Sequence, residues 1–212
     1  MDEAGGRLMA ASDRDSMPAQ RAKLRRYPKR AIERRADIDA ILSEGLMAHV
    51  GFEQDGQPFV LPMAYLYRGG RLFLHGSKAS RQLKHLASGA PICITVTLIE
   101  SLVASKAAAG HSMNYRSAVV FGRAKAVRAH AALVDLSHAI IRRYFPDRAA
   151  GEAYAAVSEA ELKAVRIVEV MIDEVSGKHR DGGPLNALDS EPPALGWNGI
   201  FPLPTLHAEI QR

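Results

Sequence analysis

Two dipeptides, Asp55-Gly56 and Gly69-Gly70, separate apolar, β-rich runs, and they restrict residues 46–75 to strands that turn back on one another. A two-residue hairpin turn needs positive φ, which Gly adopts without steric cost and Asp tolerates. Residues 46–53, 58–67 and 71–75 therefore read as three successive antiparallel strands. A fourth is expected over 91–99 and a fifth over 117–128, with Gly122 marking a bulge in the fifth. Residues 165–175 alternate enough to be a sixth.

Helices are few and lie between strands. Asp37 reads as the N-cap of a helix over 38–44, closed by Gly45 in the left-handed conformation. A second is expected from about Lys78 to Ser88, and a third over 131–145, where Leu133, Leu136, Ile140 and Ile141 recur at helical spacing before Pro146. Ser158-Glu-Ala-Glu161 is a capping box opening a fourth. Residues 181–193 read as a Gly/Pro-rich loop, and the apolar tail 196–204 as too proline-rich for regular structure. A doubly wound sheet alternates strands with helices throughout. Six strands joined mainly by hairpins instead predict a mainly β fold with peripheral helices, an antiparallel barrel.

At 212 residues, 47% hydrophobic and 24% charged, the chain suits one globular domain. Its apolar runs fall short of the ~18 residues that span a bilayer, and its first residues lack the apolar core of a signal peptide, so a cytoplasmic location is expected. Cys93 is the only cysteine and reads as a buried, inert thiol; intrachain disulfides and cysteine-based zinc sites are excluded. The net charge of +5 is concentrated: residues 1–35 hold ten Lys/Arg against five Asp/Glu, and the remainder balances at eighteen each. The excess belongs to a basic, flexible N-terminal arm, 1–30, expected to be solvated. It lacks a known DNA-binding pattern, which disfavours nucleic acid as a partner. The domain proper is 31–204, followed by a tail, 205–212.

The run Arg71-Leu-Phe-Leu-His75-Gly76-Ser77-Lys78-Ala79-Ser80-Arg81 takes an apolar strand into a basic, helix-forming segment. The first N–H groups of a helix lack intrahelical partners and carry partial positive charge, so an anion is favoured there. Ser77 and Ser80 offer hydroxyls, Lys78 a mobile point charge, and Arg81 a fork that grips two phosphate oxygens. The spacing is not that of a Walker loop. The same residues also suit a plain strand–turn–helix junction with Ser77 as N-cap. His75, ending the strand beside them, is the histidine best placed for chemistry, against a purely structural role.

A second polar concentration, Gly110-His-Ser-Met-Asn114-Tyr115-Arg116-Ser117, precedes an apolar strand. It reads either as a surface loop or as a site wall. In the wall reading Asn114 and Ser117 address a polar ring edge, Tyr115 stacks, and Arg116 with Lys106 neutralises phosphate. Trp197, the sole tryptophan, is a hydrophobic anchor or an aromatic wall for a flat ring. No His-Glu-x-x-His, Gly-x-Ser-x-Gly or Gly-x-Gly-x-x-Gly motif occurs, so no metal site is expected and α/β-hydrolase and common dinucleotide-binding readings are disfavoured.

Taken together, Gly56-Gln-Pro-Phe-Val-Leu-Pro62-Met63, Leu74-His75-Gly76-Ser77 with Ala79-Ser80-Arg81, His111 to Ser117 leading into Val119-Val-Phe-Gly122, and Trp197-Asn-Gly199 with Pro202-Leu203 resemble the FMN-binding split-barrel proteins. The match is to the pyridoxamine 5'-phosphate oxidase-like branch that includes nitroimidazole-resistance proteins. The resemblance implies a six-stranded antiparallel split β-barrel that forms a homodimer with two FMN sites at its interface. It implies that Pro62 and Met63 lie along the flavin ring, and that His75, Gly76, Ser77, Lys78, Ser80 and Arg81 surround the phosphate. Asn114, Tyr115, Arg116 and Ser117 would approach from the second subunit, Lys106 would line one side of the pocket, and Trp197 would cover part of the ring. Lys106 stands where relatives often carry Arg. Gln82 stands where true pyridoxamine-phosphate oxidases carry a second basic residue, which argues against the vitamin B6 reaction. The implied activity is flavin-dependent reduction of a small flat acceptor, nitroaromatic or quinone-like. The alternatives are a non-catalytic flavin store or sensor, and a split barrel that binds haem through a histidine.

Overall fold

The computed structural model describes residues 21–190 and 196–204. The expectations for residues 1–20, for 191–193 of the loop and for the tail 205–212 lie outside the described residues.

Seven strands follow one another across a single antiparallel sheet. They are β2 (Ala48–Gln54), β3 (Gln57–Met63), β4 (Tyr65–Arg68), β5 (Arg71–Ser77), β6 (Ser88–Ala104), β7 (Ser112–Ala126) and β8 (Val165–Arg180), in the order β3-β2-β6-β7-β8-β5-β4. Two short strands, β1 (Ala31–Ile32) and β9 (Gly199–Pro202), add to β8 and β6. The two ends of this path, β3 and β4, are consecutive in the chain and are separated only by Ala64. A sheet whose first and last strands are joined by one residue must curl until its ends meet, which makes it a barrel with a split at that seam. The expected single strand over 58–67 is therefore two strands, one pairing with β2 and the other with β5.

Inside the barrel, inward-pointing residues form one core: Val50, Phe52, Tyr65, Leu72, Leu74, Ile92, Ile94, Val96, Val120, Val168 and Val170. Helix α1 (Arg35–Glu44) supplies Ile38, Ile41 and Leu42, and α2 (Arg81–Leu86) supplies Leu83 and Leu86. A second cluster lies on the outer face, where Leu136, Ala139 and Ile140 of α3 (His130–Tyr144) meet Leu66, Phe73 and Ile167. Helix α4 (Glu159–Ala164) opens on the expected capping box, with both reciprocal bonds formed.

Helix α1 departs from expectation at both ends. It starts at Arg35 with Arg34 as its N-cap, and Gly45 has φ of −60°, not a left-handed value. Gly45 is needed for space: a Cβ there would collide with Val96 and approach the Tyr65 hydroxyl to 2.9 Å. Arg143 of α3 fastens this corner. Its guanidinium donates to the carbonyls of Tyr65 at 3.0 Å, Ser43 at 2.6 Å and Gly45, and lies over the Tyr65 ring.

The segment 21–30 is mostly exposed but touches the barrel at its two ends. Arg21 donates to Glu174 at 2.9 Å and lies over Phe121, while Tyr27 is flanked by Arg26, Arg30 and Lys178. The proline-rich tail also departs from expectation, because 199–202 pairs in register with β6 as an added strand. Proline is tolerated at such an edge position. Among the described residues no helix is long and apolar enough to cross a membrane.

Candidate functional site

The turn between β5 and α2 is built by side chains satisfying the backbone. Helix α2 begins at Arg81, three residues later than expected, and its N-cap is Ser80, whose Oγ accepts from the Leu83 N–H at 3.3 Å. Ser77 is therefore not the N-cap; its Oγ accepts from the Ala79 N–H at 3.2 Å. The Lys78 N–H donates to the Ala164 carbonyl at 2.7 Å, tying the turn to the end of α4. Gly76 lets α2 settle onto β5, since a Cβ there would stand 3.1 Å from Leu83 Cδ1.

Helix α2 also reaches β3. Gln82 Nε2 donates to Met63 Sδ at 3.2 Å, and the Arg81 guanidinium lies over the Phe59 ring at 5.2 Å. Ser77, Lys78, Ser80, Arg81, Gly76 and Met63 thus share one corner of the barrel. Pro62 is exposed on β3 opposite His49. Lys78 and Arg81 are exposed, and neither makes an ion pair among the described residues. Such a corner offers hydroxyls, free helix N–H groups and two cations to an incoming anion.

His75 does not join them. Strand alternation turns it to the face opposite Leu74 and Gly76, where it lines a cavity of about 210 Å³ with Ser137, Ile140, Ile141 and Glu161 beneath α3. Its Nδ1 is buried without a partner, and burial pushes its pKa below the ordinary value. This placement removes it from the corner that the sequence suggested it would serve.

The 112–117 segment is the first part of β7, not a loop, and its Asn114, Arg116 and Ser117 side chains bond within the chain. Asn114 is buried; its Nδ2 donates to Ser101 Oγ at 2.9 Å and its Oδ1 accepts from Arg180. Arg116 Nε donates to Glu100 at 2.6 Å and Nη2 to Glu44 at 2.7 Å, joining β7 to β6 and α1. Its hydrogen bond to Glu44 is the chief cause of a pKa raised above the ordinary arginine value. A guanidinium held by two carboxylates has little positive potential left for a phosphate, which changes the expectation for Arg116. Ser117 Oγ donates weakly to the Lys178 carbonyl at 3.4 Å, and Tyr115 is half-buried opposite Ile99 and Arg180.

The Lys106 N–H donates to Asp189 Oδ1 at 2.7 Å, and Ser105 Oγ, the Asn186 N–H and Asn198 Nδ2 converge on the same carboxylate. Asp189 is a clasp that sequence reading missed, because its partners lie up to 84 residues away. Trp197 is 65% exposed and rests against Gly199, far from covered. No group of three or more His, Cys, Asp or Glu suited to a metal ion occurs among the described residues.

A family model described as pyridoxamine 5'-phosphate oxidase matches residues 34–179, from α1 into β8. The chain belongs to that family. The flavocytochrome Anf3 of Azotobacter vinelandii is similar at 31% identity and a TM-score of 0.78, covering 88% of this chain and 86% of its own. An FAD- and haem-binding protein of Mycobacterium smegmatis is similar at 31% identity and a TM-score of 0.74, over 82% of this chain and 84% of its own. A candidate 5-nitroimidazole antibiotic resistance protein of Bacteroides thetaiotaomicron shares the fold at 24% identity and a TM-score of 0.59, over 70% of this chain and 86% of its own. No curated protein matches the chain. The pyridoxamine 5'-phosphate oxidase fold, a mainly β split barrel with few helices, is thus the fold of this protein.

Proposed function

We propose that this pyridoxamine 5'-phosphate oxidase family member is a flavin-binding protein whose corner between β5, α2 and β3 holds the ribityl phosphate common to FMN and FAD. The observation that carries this reading is the pair Lys78 and Arg81, exposed at the start of α2 and without a carboxylate partner among the described residues. Arg81 is steadied over Phe59 and supplies the bidentate contact, Lys78 the point charge, and the Arg81 and Gln82 N–H groups the remaining donors. Ser77 and Ser80 keep hydroxyl hydrogens free to donate, since their oxygens act as acceptors within the turn. Pro62 and Met63 border the ring on β3.

The flavin would supply the redox chemistry, as cofactors of this class do. The chain's own groups bind and orient it. The activity proposed is reduction of a small flat acceptor at the exposed ring face; a flavin store or sensor would need the same corner and no acceptor. A homodimer is part of the reading. Leu102 lies in register with Met113 of β7 and Phe201 of β9, and the three are 44%, 43% and 57% exposed, an apolar row that a second copy would cover.

A second reading adds haem. A cleft of about 310 Å³ is lined by Met47 and His49, both of axial-ligand type, with Leu46, Leu98 and Ile99. Two similar proteins are a flavocytochrome and an FAD- and haem-binding protein. Visible spectra after incubation with FMN, FAD or haemin and removal of free ligand test both readings. Retained flavin bands support the first and a retained Soret band the second; a colourless protein in every case overturns both.

A further inference from the structure

Several arginines and lysines on this barrel are paired with carboxylates. Arg35 meets Asp39, Arg68 meets Asp135, Arg71 and Lys125 share Glu169, and Arg116 is held by two glutamates. One concavity gathers four cations that, among the described residues, are not paired in this way. A groove of about 490 Å³ runs beside α2, and its lining includes Lys78, Lys84, Arg128 and Arg166 with no carboxylate among the lining residues.

The four cations come from four places in the chain: the turn before α2, α2 itself, the segment after β7, and the start of β8. None makes an ion pair among the described residues. Bringing like charges to one concavity is unfavourable unless counter-charge joins them, and in a concave wall the field is focused. The rest of the lining is largely apolar: Ala87, Ala126, Val127, Leu133, Leu162 and Val165. Cations above an apolar floor suit a phosphorylated nucleoside, whose flat base can lie on apolar side chains while its phosphates carry the charge.

We propose that the groove lined by Lys78, Lys84, Arg128 and Arg166 binds a diphosphate group carried by a nucleotide. Four cations exceed what one phosphate of charge about −2 requires. Arg128 and Arg166 offer planar forks that grip two oxygens each. Lys78 also belongs to the corner at the start of α2, so the two sites are contiguous. The diphosphate has two possible sources: the flavin itself, if the cofactor is a dinucleotide, or a separate nucleotide bound beside it. The first source rests on the flavin reading above; the groove itself does not.

The test is calorimetric titration of inorganic pyrophosphate, ADP, FMN and FAD into the full chain at low ionic strength. It is repeated with the double variant Arg128→Gln/Arg166→Gln and with Arg128→Lys/Arg166→Lys, which keeps the charge. Saturable pyrophosphate binding to the wild type, weakened at least tenfold in the Gln variant and largely kept in the Lys variant, is the expected result. A parallel tenfold loss for FAD with FMN unchanged assigns the diphosphate to the flavin. Loss of ADP binding to FMN-loaded protein, with FMN and FAD unchanged, assigns it to a separate nucleotide. Pyrophosphate binding through these arginines in a protein that takes no flavin supports the groove and refutes the flavin reading. No saturable binding of pyrophosphate or ADP, or equal affinity in the wild type and a Gln variant with unchanged far-ultraviolet circular dichroism, overturns the proposal.

Discussion

The Arg81 guanidinium lies over the Phe59 ring, 5.2 Å from its centroid, so the first residue of α2 is seated on β3. A cation fixed in this way loses less freedom on gripping an anion than a solvated lysine does. Arg81→Ala is expected to weaken FMN about ten- to a hundredfold, the range of one or two charge-assisted hydrogen bonds. Lys78→Ala is expected to weaken it less than about tenfold. Fluorescence titration of both variants measures this, and equal dissociation constants contradict the assignment.

Arg116 joins three elements through Glu44 and Glu100, which predicts a bolt in place of a phosphate ligand. Arg116→Met is expected to lower stability by about 1 kcal/mol, the scale of partly exposed ion pairs, while leaving FMN affinity within about twofold. Chemical denaturation and flavin titration report the two effects separately. A tenfold loss of flavin with unchanged stability would return Arg116 to the site.

His75 is half-buried beneath α3 and its pKa lies below the ordinary 6.5 because burial disfavours the charged ring. The unfolded chain takes up that proton first as pH falls. The stability associated with neutral His75 is therefore complete above about 6.5 and is lost as pH drops from there through the lower folded value. In His75→Gln the part of the slope below pH 6.5 that belongs to this ring disappears. Denaturation midpoints from pH 8 to 5 test this; an identical slope in the variant shows that another group is responsible.

Gly122 sits where β7 slips register against β8, and a Cβ there would collide with the Met171 carbonyl oxygen. Gly122→Ala is expected to cost about 1–3 kcal/mol, the scale of an overpacked site. A shift in the denaturant midpoint with an unchanged slope is the outcome that agrees; no shift would mean that the bulge relaxes freely.

That bulge was legible because only one residue type fits it, and the hairpin at Asp55-Gly56 and the capping box at Ser158 were legible for the same local reason. Asp55 has φ of 56° and Gly56 of 78°, as the turn requires. The break at Ala64 was not legible, because it is caused by β3 and β4 pairing with different partners at the two ends of the sheet. Strand β9 was hidden by its prolines and made by pairing across about a hundred residues. That Ser77, Lys78, Ser80 and Arg81 share one corner could be read because they are neighbours in the chain. The pairings of Asn114 and Arg116 within the chain could not, since Arg180 and Glu44 lie 66 and 72 residues away. Residue type suggested polar partners at those positions; only the fold shows that distant carboxylates and an arginine supply them.

A corner that holds a flavin by its phosphate must distinguish FMN from riboflavin, which has the same ring and no phosphate. Fluorescence titration of the wild type is expected to give FMN an affinity at least about a hundredfold higher, the value of two or more charge-assisted contacts. Equal affinities, or no binding of either, would contradict the account.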